Sequence, residues 1–485
     1  MTRRPRKLLG QALAACWLAS TLAHTAIGAE GPPAGARAAT AGPSKEEYRS
    51  RRKALMDQIK LADPAQPSRR PGGVVVVLVG SGEPGEDARF RQENDFGYLT
   101  GAMQPNASII LSPETGEEVL YLPPREHSMD RWIGPRLGPG TEAAEATGFA
   151  RVEPTSAFLA DLFRAIGDPM TGGRAPSGVV YLLDPTPKPG ASTPSTRLAR
   201  FVREGAPSAR FKDLGPLVHE MRKGKSEAEA VLIRRAVAVT ADAHREVARL
   251  IRPGLPEYRL EGAIVGAFIA GGATRAGFPS IVGSGPNSTV LHYEKNDRTI
   301  TEGDLVVVDI GGEFQGYTAD ITRTYPASGT FSPRQREVYQ LVLEAQDAAA
   351  AAFKPAVSTI AALNAVAREV FRRSPLRARD QDGKEWTMDH FFAHGLGHHM
   401  GLDVHDVGDS SAPLRPGEVF TIEPGLYIAA EALGVRIEDD YRVTPEGLEK
   451  LSGAIPSKVE EVERAIAAAR NEGVPTGATA APPGR

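Results

Sequence analysis

The sequence predicts two globular domains in series: a smaller mixed α/β domain, then a larger one that makes the chain as a whole α+β. Two observations point there. Short runs rich in β-branched residues alternate with helical and turn-rich stretches as far as about residue 213, and a long amphipathic helix opened by a capping box at Ser226 then starts a second pattern. Composition agrees: 485 residues, 41% of them hydrophobic, can bury large cores, and a formal net charge of −3 gives no basic excess for nucleic acid.

Residues 1–29 read as an export signal. MTRRPRK is a basic n-region, LLGQALAACWLASTLA is apolar but too short and interrupted for a comfortable membrane span, and AIGA supplies small residues for cleavage after Ala29. An exported protein, periplasmic or secreted, is the expectation. Thr2-Arg3-Arg4 faintly resembles a twin-arginine signal, and Leu13-Ala14-Ala15-Cys16 resembles a lipoprotein cleavage box that would anchor the chain through Cys16. The apolar residues after Cys16 argue against the anchor. Cys16 is the single cysteine, so the cleaved protein would hold no disulfide.

Residues 30–43 read as a flexible leader, and 44–213 as the first domain. Ser44 followed by Glu47 opens a helix over SKEEYRSRRKALMDQIK; VVVVLVG, SIILS, EEVLYLP and GVVYLLD are strands; 184–196 (DPTPKPGASTPST) is a surface loop by composition. The boundary falls near Leu214. Ser226-Glu227-Ala228-Glu229 then caps a helix running to about Ile251, the second domain extends over 214–465, and 466–485 reads as a disordered tail.

The second domain carries the chemistry. Asp309 and Asp320 (VVVDIGGEFQGYTADIT), Glu423 (TIEPGLY) and Glu438 (GVRIEDDY) each lie in or just after a β-rich run. LVVVDI and YTADITRTY, joined by GGEFQG, predict a hairpin; a turn centred on Phe314 and Gln315 puts Asp309 opposite Asp320, about 5 Å apart at Cβ. Asp309 ends a run of three valines and should lie deep. Four converging carboxylates repel one another and hold protons unless cations lie between them, and two divalent ions ~3.5–4 Å apart would supply that charge. Five of the ten histidines, including His394, His398 and His405, fall between His390 and His405, where Gly395, Gly397 and Gly401 exclude an ordinary helix. Oxygen ligands with one imidazole and no thiolate suit an open catalytic site for Mn²⁺, with Zn²⁺, Co²⁺ or Fe²⁺ as alternatives.

In order, FPSIVGSGPNSTVLHY, GDLVVVDIGGEFQGYTADITRTYP, HGLGHHMGLDVHDVG, TIEPGLYI and GVRIEDD closely resemble the pita-bread metallopeptidases, and among them Xaa-Pro aminopeptidase (aminopeptidase P). The likeness runs from about Leu214 to Val462 and, more weakly, back through RQENDFGYLTG and RWIGPRLG. The resemblance implies that Asp309, Asp320, His398, Glu423 and Glu438 ligate two metal ions, with Asp320 and Glu438 touching both. It implies His292 near the substrate and the tetrahedral centre, His405 on the scissile carbonyl or its oxyanion, His394 at the proline-side pocket, and Arg436 supporting Glu438. Trp132 would reach a neighbouring subunit's active site in a homodimer or homotetramer. A hydroxide formed on the metal pair would attack, Glu423 would relay the proton, and the substrates would be peptides beginning Xaa-Pro. A dipeptidase for Xaa-Pro (prolidase) shares this ligand set and is the alternative. Methionine aminopeptidases usually lack such a first domain, and creatinase-like or non-catalytic peptide-binding relatives replace ligands that are all present here.

Overall fold

The computed structural model describes residues 42–62, 73–85, 89–167, 178–186 and 193–472. The expected signal 1–29, the leader through residue 41 and the tail from 473 lie outside the described residues.

The first helix, Lys45–Ala62, begins where expected, with the Glu47 N–H donating to Ser44 Oγ at 3.2 Å. Only half of the capping box forms, because the Glu47 carboxylate pairs with Arg51 one turn on. The sheet beneath it has six strands, in the order 151–154, 117–122, 108–112, 74–79, 179–182 and 210–213. Val74–Val79 is apolar throughout because both of its faces are covered. Val74, Val76 and Leu78 pack with Leu55, Met56 and Ile59, whereas Val75 and Val77 pack with Leu162, Ile166 and Val202. The two edge strands, Arg151–Pro154 and Arg210–Asp213, carry no apolar alternation and were not expected; short, charged edges resist pairing with other chains.

Composition misled at 184–196. The loop ends at Thr193, which caps the helix Pro194–Gly205 through reciprocal bonds with Thr196, with proline at the first helical position.

In the second domain one order of elements occurs twice: two packed helices, then antiparallel strands. Helices Glu227–Leu250 and Glu257–Ala270 precede strands Ile281–Ser284, Leu305–Ile310 and Ile321–Pro326. Helices Pro333–Ala351 and Ile360–Arg373 precede the pair Val419–Ile422 and Asp439–Val443 and the hairpin Gly425–Ile428 with Leu433–Arg436. The long helix opens on Ser226 and Glu229 in a complete capping box, as the sequence predicts. The last helix, Val459–Glu472, occupies the first seven positions of the expected tail, because Val459, Val462 and Ile466 are buried in the domain core.

The hairpin forms in a different register from the expected one. Asp309 lies opposite Thr322, and Ile310 opposite Ile321. The turn falls one residue later, on Gln315 and Gly316, at φ 49° and 87°, with Phe314 opposite Tyr317. A type I′ turn demands positive φ at both central residues, and glycine meets that freely, so Gly316 decides the register. Asp320 therefore sits diagonal to Asp309, two residues from Thr322. Positions two apart share a face, so both carboxylates still point to one side of the sheet. GGEFQG is not a plain link either: Gly312–Phe314 pairs with Tyr317–Thr318 and with Arg275–Ala276.

Candidate metal centre

Four segments bring the acids together. Asp309 and Asp320 come from the hairpin just described, His398 from the glycine-rich loop, Glu423 from the end of Val419–Ile422, and Glu438 from the two-residue step between Leu433–Arg436 and Asp439–Val443. Ligand atoms of Asp320, His398 and Glu438 all lie within 4.8 Å of one another. His398 Nε2 is 3.4 Å from Asp320 Oδ2 and 3.4 Å from Glu423 Oε1. His398 Nδ1 lies 3.1 Å from the carbonyl of His399 and so carries the proton, which leaves the Nε2 lone pair facing the acids. The His398 N–H donates to Thr421 Oγ1, and that hydroxyl donates to Glu423 Oε1.

Arg436 sits under the cluster. Its Nη2 donates to Asp309 Oδ2 at 2.6 Å, its Nε to Thr322 Oγ1, and Thr322 donates in turn to Glu438 Oε2 at 2.6 Å. The guanidinium's direct carboxylate partner is thus Asp309; it reaches Glu438 only through Thr322. Arg436 Nη1 donates to the Tyr427 hydroxyl, which faces His394 Nε2 at 2.7 Å while His394 Nδ1 faces the Gly395 carbonyl. Burial and the nearby Arg436 push His394 down to about 4, so it is neutral with its proton on Nδ1.

His405 packs edge-on against His398, ring centroids 4.2 Å apart, and burial with the neighbouring His398 and His292 lowers its pKa. His292 is exposed in the segment after the short helix Gly285–Thr289, near enough for its charge to act on both His394 and His405. Trp132 lies apart from all of these on the first domain, in the short helix Asp130–Ile133, and is 82% exposed.

Burial and mutual repulsion give the acids a demand for positive charge. Burial, then repulsion by Asp309 and Glu423, raises Asp320 well above the carboxylate range; burial, then Asp320 and Glu423, does the same to Glu438. Burial lifts Glu423 to about 7. Asp309 Oδ1 and Asp320 Oδ1 are buried without a hydrogen-bond partner. Buried acceptors facing one another without donors are what cations would satisfy, so the donor set fits divalent metal ions.

The comparisons with known proteins agree. Residues 231–445 match metallopeptidase family M24, and residues 48–170 match the aminopeptidase P N-terminal domain. The Xaa-Pro aminopeptidase of Escherichia coli strain K12 is 34% identical over 457 residues, spanning 88% of this chain and 99% of that protein. The chain belongs to the Xaa-Pro aminopeptidases of family M24. A structure of E. coli aminopeptidase P with the inhibitor Pro-Leu matches with a TM-score of 0.75 at 33% identity, over 88% of this chain and 99% of that one. A Pongo abelii Xaa-Pro dipeptidase is 29% identical over 457 residues, 81% of this chain and 89% of that protein. Family membership makes the protein a metallo-exopeptidase, with a pita-bread second domain behind its N-terminal one.

Sequence reasoning missed several neighbours of the centre in this M24 peptidase. Thr322 had a readable signal, since it follows Asp320 by two residues in the β-rich run YTADITRTY, where alternate positions share a face. Tyr427 had none, because it meets His394 and Arg436 only through the tertiary fold. Asp440, buried beside Glu438, accepts the Asp320 N–H through Oδ2 at 3.3 Å and is pushed well above the carboxylate range by that burial.

Proposed function

We propose that the protein releases the first residue from peptides whose second residue is proline, using two divalent cations, preferentially Mn²⁺, held by Asp309, Asp320, His398, Glu423 and Glu438. The observation that carries the reading is the convergence of Asp320, His398 and Glu438 ligand atoms within 4.8 Å, flanked by the orphaned oxygen of Asp309 and by Glu423. When bound, such cations lower the pKa of a water and polarise a scissile carbonyl.

The chain's own groups then divide the work. Glu423, whose Oε1 stands 3.4 Å from His398 Nε2 beside the acid cluster, takes the proton of the attacking water and returns it to the leaving proline nitrogen. His405, beside His398 at the open side of the cleft, donates to the oxyanion. His292, whose charge reaches both His394 and His405, binds substrate. His394, neutral and locked by Tyr427, walls the proline pocket. Proline's tertiary amide lacks an N–H and fixes φ, so a pocket shaped to the ring is what separates this reaction from ordinary peptide hydrolysis. The substrate's free amino group lies against the acid cluster, which confines cleavage to the first bond. Trp132 completes the site of a neighbouring subunit in a homodimer or homotetramer. The basic n-region and short apolar run before Glu30 support export, with cleavage after Ala29; N-terminal sequencing of the mature protein reads that directly.

Steady-state kinetics on Xaa-Pro, Xaa-Pro-Yaa and Xaa-Ala-Yaa, with and without added Mn²⁺ after chelation, test the whole reading. Metal-dependent turnover of Xaa-Pro-Yaa above both others is expected. Turnover of the dipeptide alone makes the protein a dipeptidase, and equal turnover of the alanine peptide removes the proline pocket.

A further inference from the structure

The loop that carries His405 is clamped by a buried ionic cluster shared with the first domain. Asp406, the next residue, accepts from Arg222 Nη2 at 2.6 Å on Oδ1 and faces Lys225 Nζ at 2.9 Å on Oδ2. The three side chains are 1%, 4% and 1% exposed, respectively. Arg222 and Lys225 lie near the start of the second domain, in and just after the helix Gly215–Lys223. Through Nη1 the same Arg222 donates to Asp95 Oδ1 at 2.7 Å, and Asp95 sits in the first domain's helix Asn94–Thr100. His219 Nε2 stands 3.2 Å from the other Asp95 oxygen, and Asp403 Oδ2 lies 3.3 Å from Arg222 Nη2. A second strap comes from Arg91, also in the first domain, whose Nη2 donates to the Leu402 carbonyl at 2.5 Å while its Nε pairs with Glu313 at 3.0 Å. Space inside the loop is used up: a Cβ on Gly401 would lie 2.3 Å from Asp406 Oδ2 and 2.6 Å from Lys225 Cε.

Arg222 is shared by Asp406, Asp95 and Asp403, with Lys225 as a second cation on Asp406, and a buried ion pair adds little stability over an apolar replacement of the same shape. What it does add is a fixed geometry, because a misplaced partner leaves a charge uncompensated. The geometry at stake is that of the neighbouring imidazole. His405 is exposed, and no hydrogen bond from the described residues holds its ring, so its backbone must set its position against His398. The Asp406 N–H closes the loop on the His399 carbonyl at 2.8 Å, joining the clamp to the segment that carries His398.

We infer that Asp406 is a positioning residue for His405, and that the first domain takes part in this through the Asp95–Arg222 bond. The inference rests on the oxyanion role proposed above for His405. It makes the seating of the N-terminal domain a determinant of turnover within a single subunit, apart from any residue that domain lends to a neighbour.

The test is a double-mutant cycle on the full-length, Mn²⁺-loaded enzyme with an Xaa-Pro-Yaa tripeptide. Asp406→Asn, Asp95→Asn and Arg222→Lys are each made in the wild-type and His405→Ala backgrounds, with kcat, KM, bound metal and melting temperature measured for all. A shift of about an ångström in a reacting group costs up to ~10²-fold, so Asp406→Asn should lower kcat by roughly 10–100-fold with KM and metal content unchanged. In the His405→Ala background it should cause no further loss of kcat. Asp95→Asn should give a smaller loss of the same kind. Arg222→Lys keeps the charge but cannot bridge Asp95 and Asp406 together, and it serves as the test if Asp406→Asn does not fold. Equal fold-losses in both backgrounds would make the clamp merely structural and overturn the inference. Wild-type kcat in both Asp95→Asn and Arg222→Lys would remove the first domain from it. Wild-type kcat in His405→Ala itself would instead overturn the assignment of His405, and the inference with it.

Discussion

His398 and His405 stand ring against ring, yet their surroundings give them different work. His398 has its Nδ1 proton on a carbonyl and its Nε2 aimed at two acids, whereas His405 aims at none. His398→Ala should therefore lose metal, and His405→Ala should keep it while kcat falls by ~10²–10³. Metal analysis beside kcat separates the two; a metal-free His405→Ala would make His405 a ligand. Glu423 gives a pH prediction. Its folded pKa of about 7 exceeds that of an ordinary carboxyl, so the metal-free fold holds that proton, and its contribution to stability is lost as pH rises through 7. Metal must displace the proton, so the melting-temperature gain on adding Mn²⁺ should grow between about pH 6 and pH 8. His244 and His394, held near 3 and 4, are neutral in both forms across that window and cancel in the difference. A gain that stays flat with pH would mean that no proton is displaced.

The elements around the centre differ in how far the sequence reveals them. LVVVDI and YTADITRTY read as strands because β-branched runs announce themselves, but their register hung on which residue of GGEFQG takes positive φ, and glycine at 311, 312 and 316 offers three answers. The Ser226–Glu229 cap was legible because a long apolar period follows it; the Thr193–Thr196 cap was hidden inside a Pro/Ser/Thr-rich stretch. The helix Val459–Glu472 was half lost because few apolar residues mark its end; Val459, Val462 and Ile466 are buried, and Arg470 ties the end down by donating to the carbonyls of Ile251, Ala327 and Ser328, partners far off in sequence. Asp406 could be read as a neighbour of His405, but its partners Arg222 and Lys225 lie far off in sequence and meet it only in the fold. One glycine that was legible has a sharp consequence. A Cβ on Gly397 would lie 2.0 Å from the Thr421 carbonyl, between the loop carrying His398 and the strand leading to Glu423. Gly397→Ala should force those segments apart, lower the melting temperature and weaken metal binding at least tenfold, as loss of outer support around a ligand typically does. Calorimetric titration with Mn²⁺ checks it, and unchanged affinity would mean that the loop yields without moving the ligands.

At the scale of the whole molecule the proposed reaction draws on the first domain by two separable routes. One runs inward, from Asp95 and Arg91 to the loop of His405. The other points outward: Trp132, 82% exposed, lies in a short helix beside Ile133 at 50% and Met129 at 39%. An indole and two aliphatic chains grouped on an open surface are the composition of an interface centre, where tryptophan commonly supplies much of the binding energy. Nothing in the Trp132 helix reaches the acid cluster of its own subunit, so a role for Trp132 in the reaction requires a second copy. The protein should then sediment as a dimer or tetramer, and specific activity should fall on dilution toward the concentration at which subunits part. Trp132→Ala should leave metal content and melting temperature nearly unchanged, since the side chain packs on little within its own subunit. It should lower kcat/KM for Xaa-Pro-Yaa by about tenfold, equivalent to ~1.4 kcal/mol of lost contact with the bound substrate. Sedimentation velocity and activity on one dilution series check both. A monomer with full activity, unaffected by Trp132→Ala, would confine the active site to one chain and leave the exposed indole without a role in the reaction.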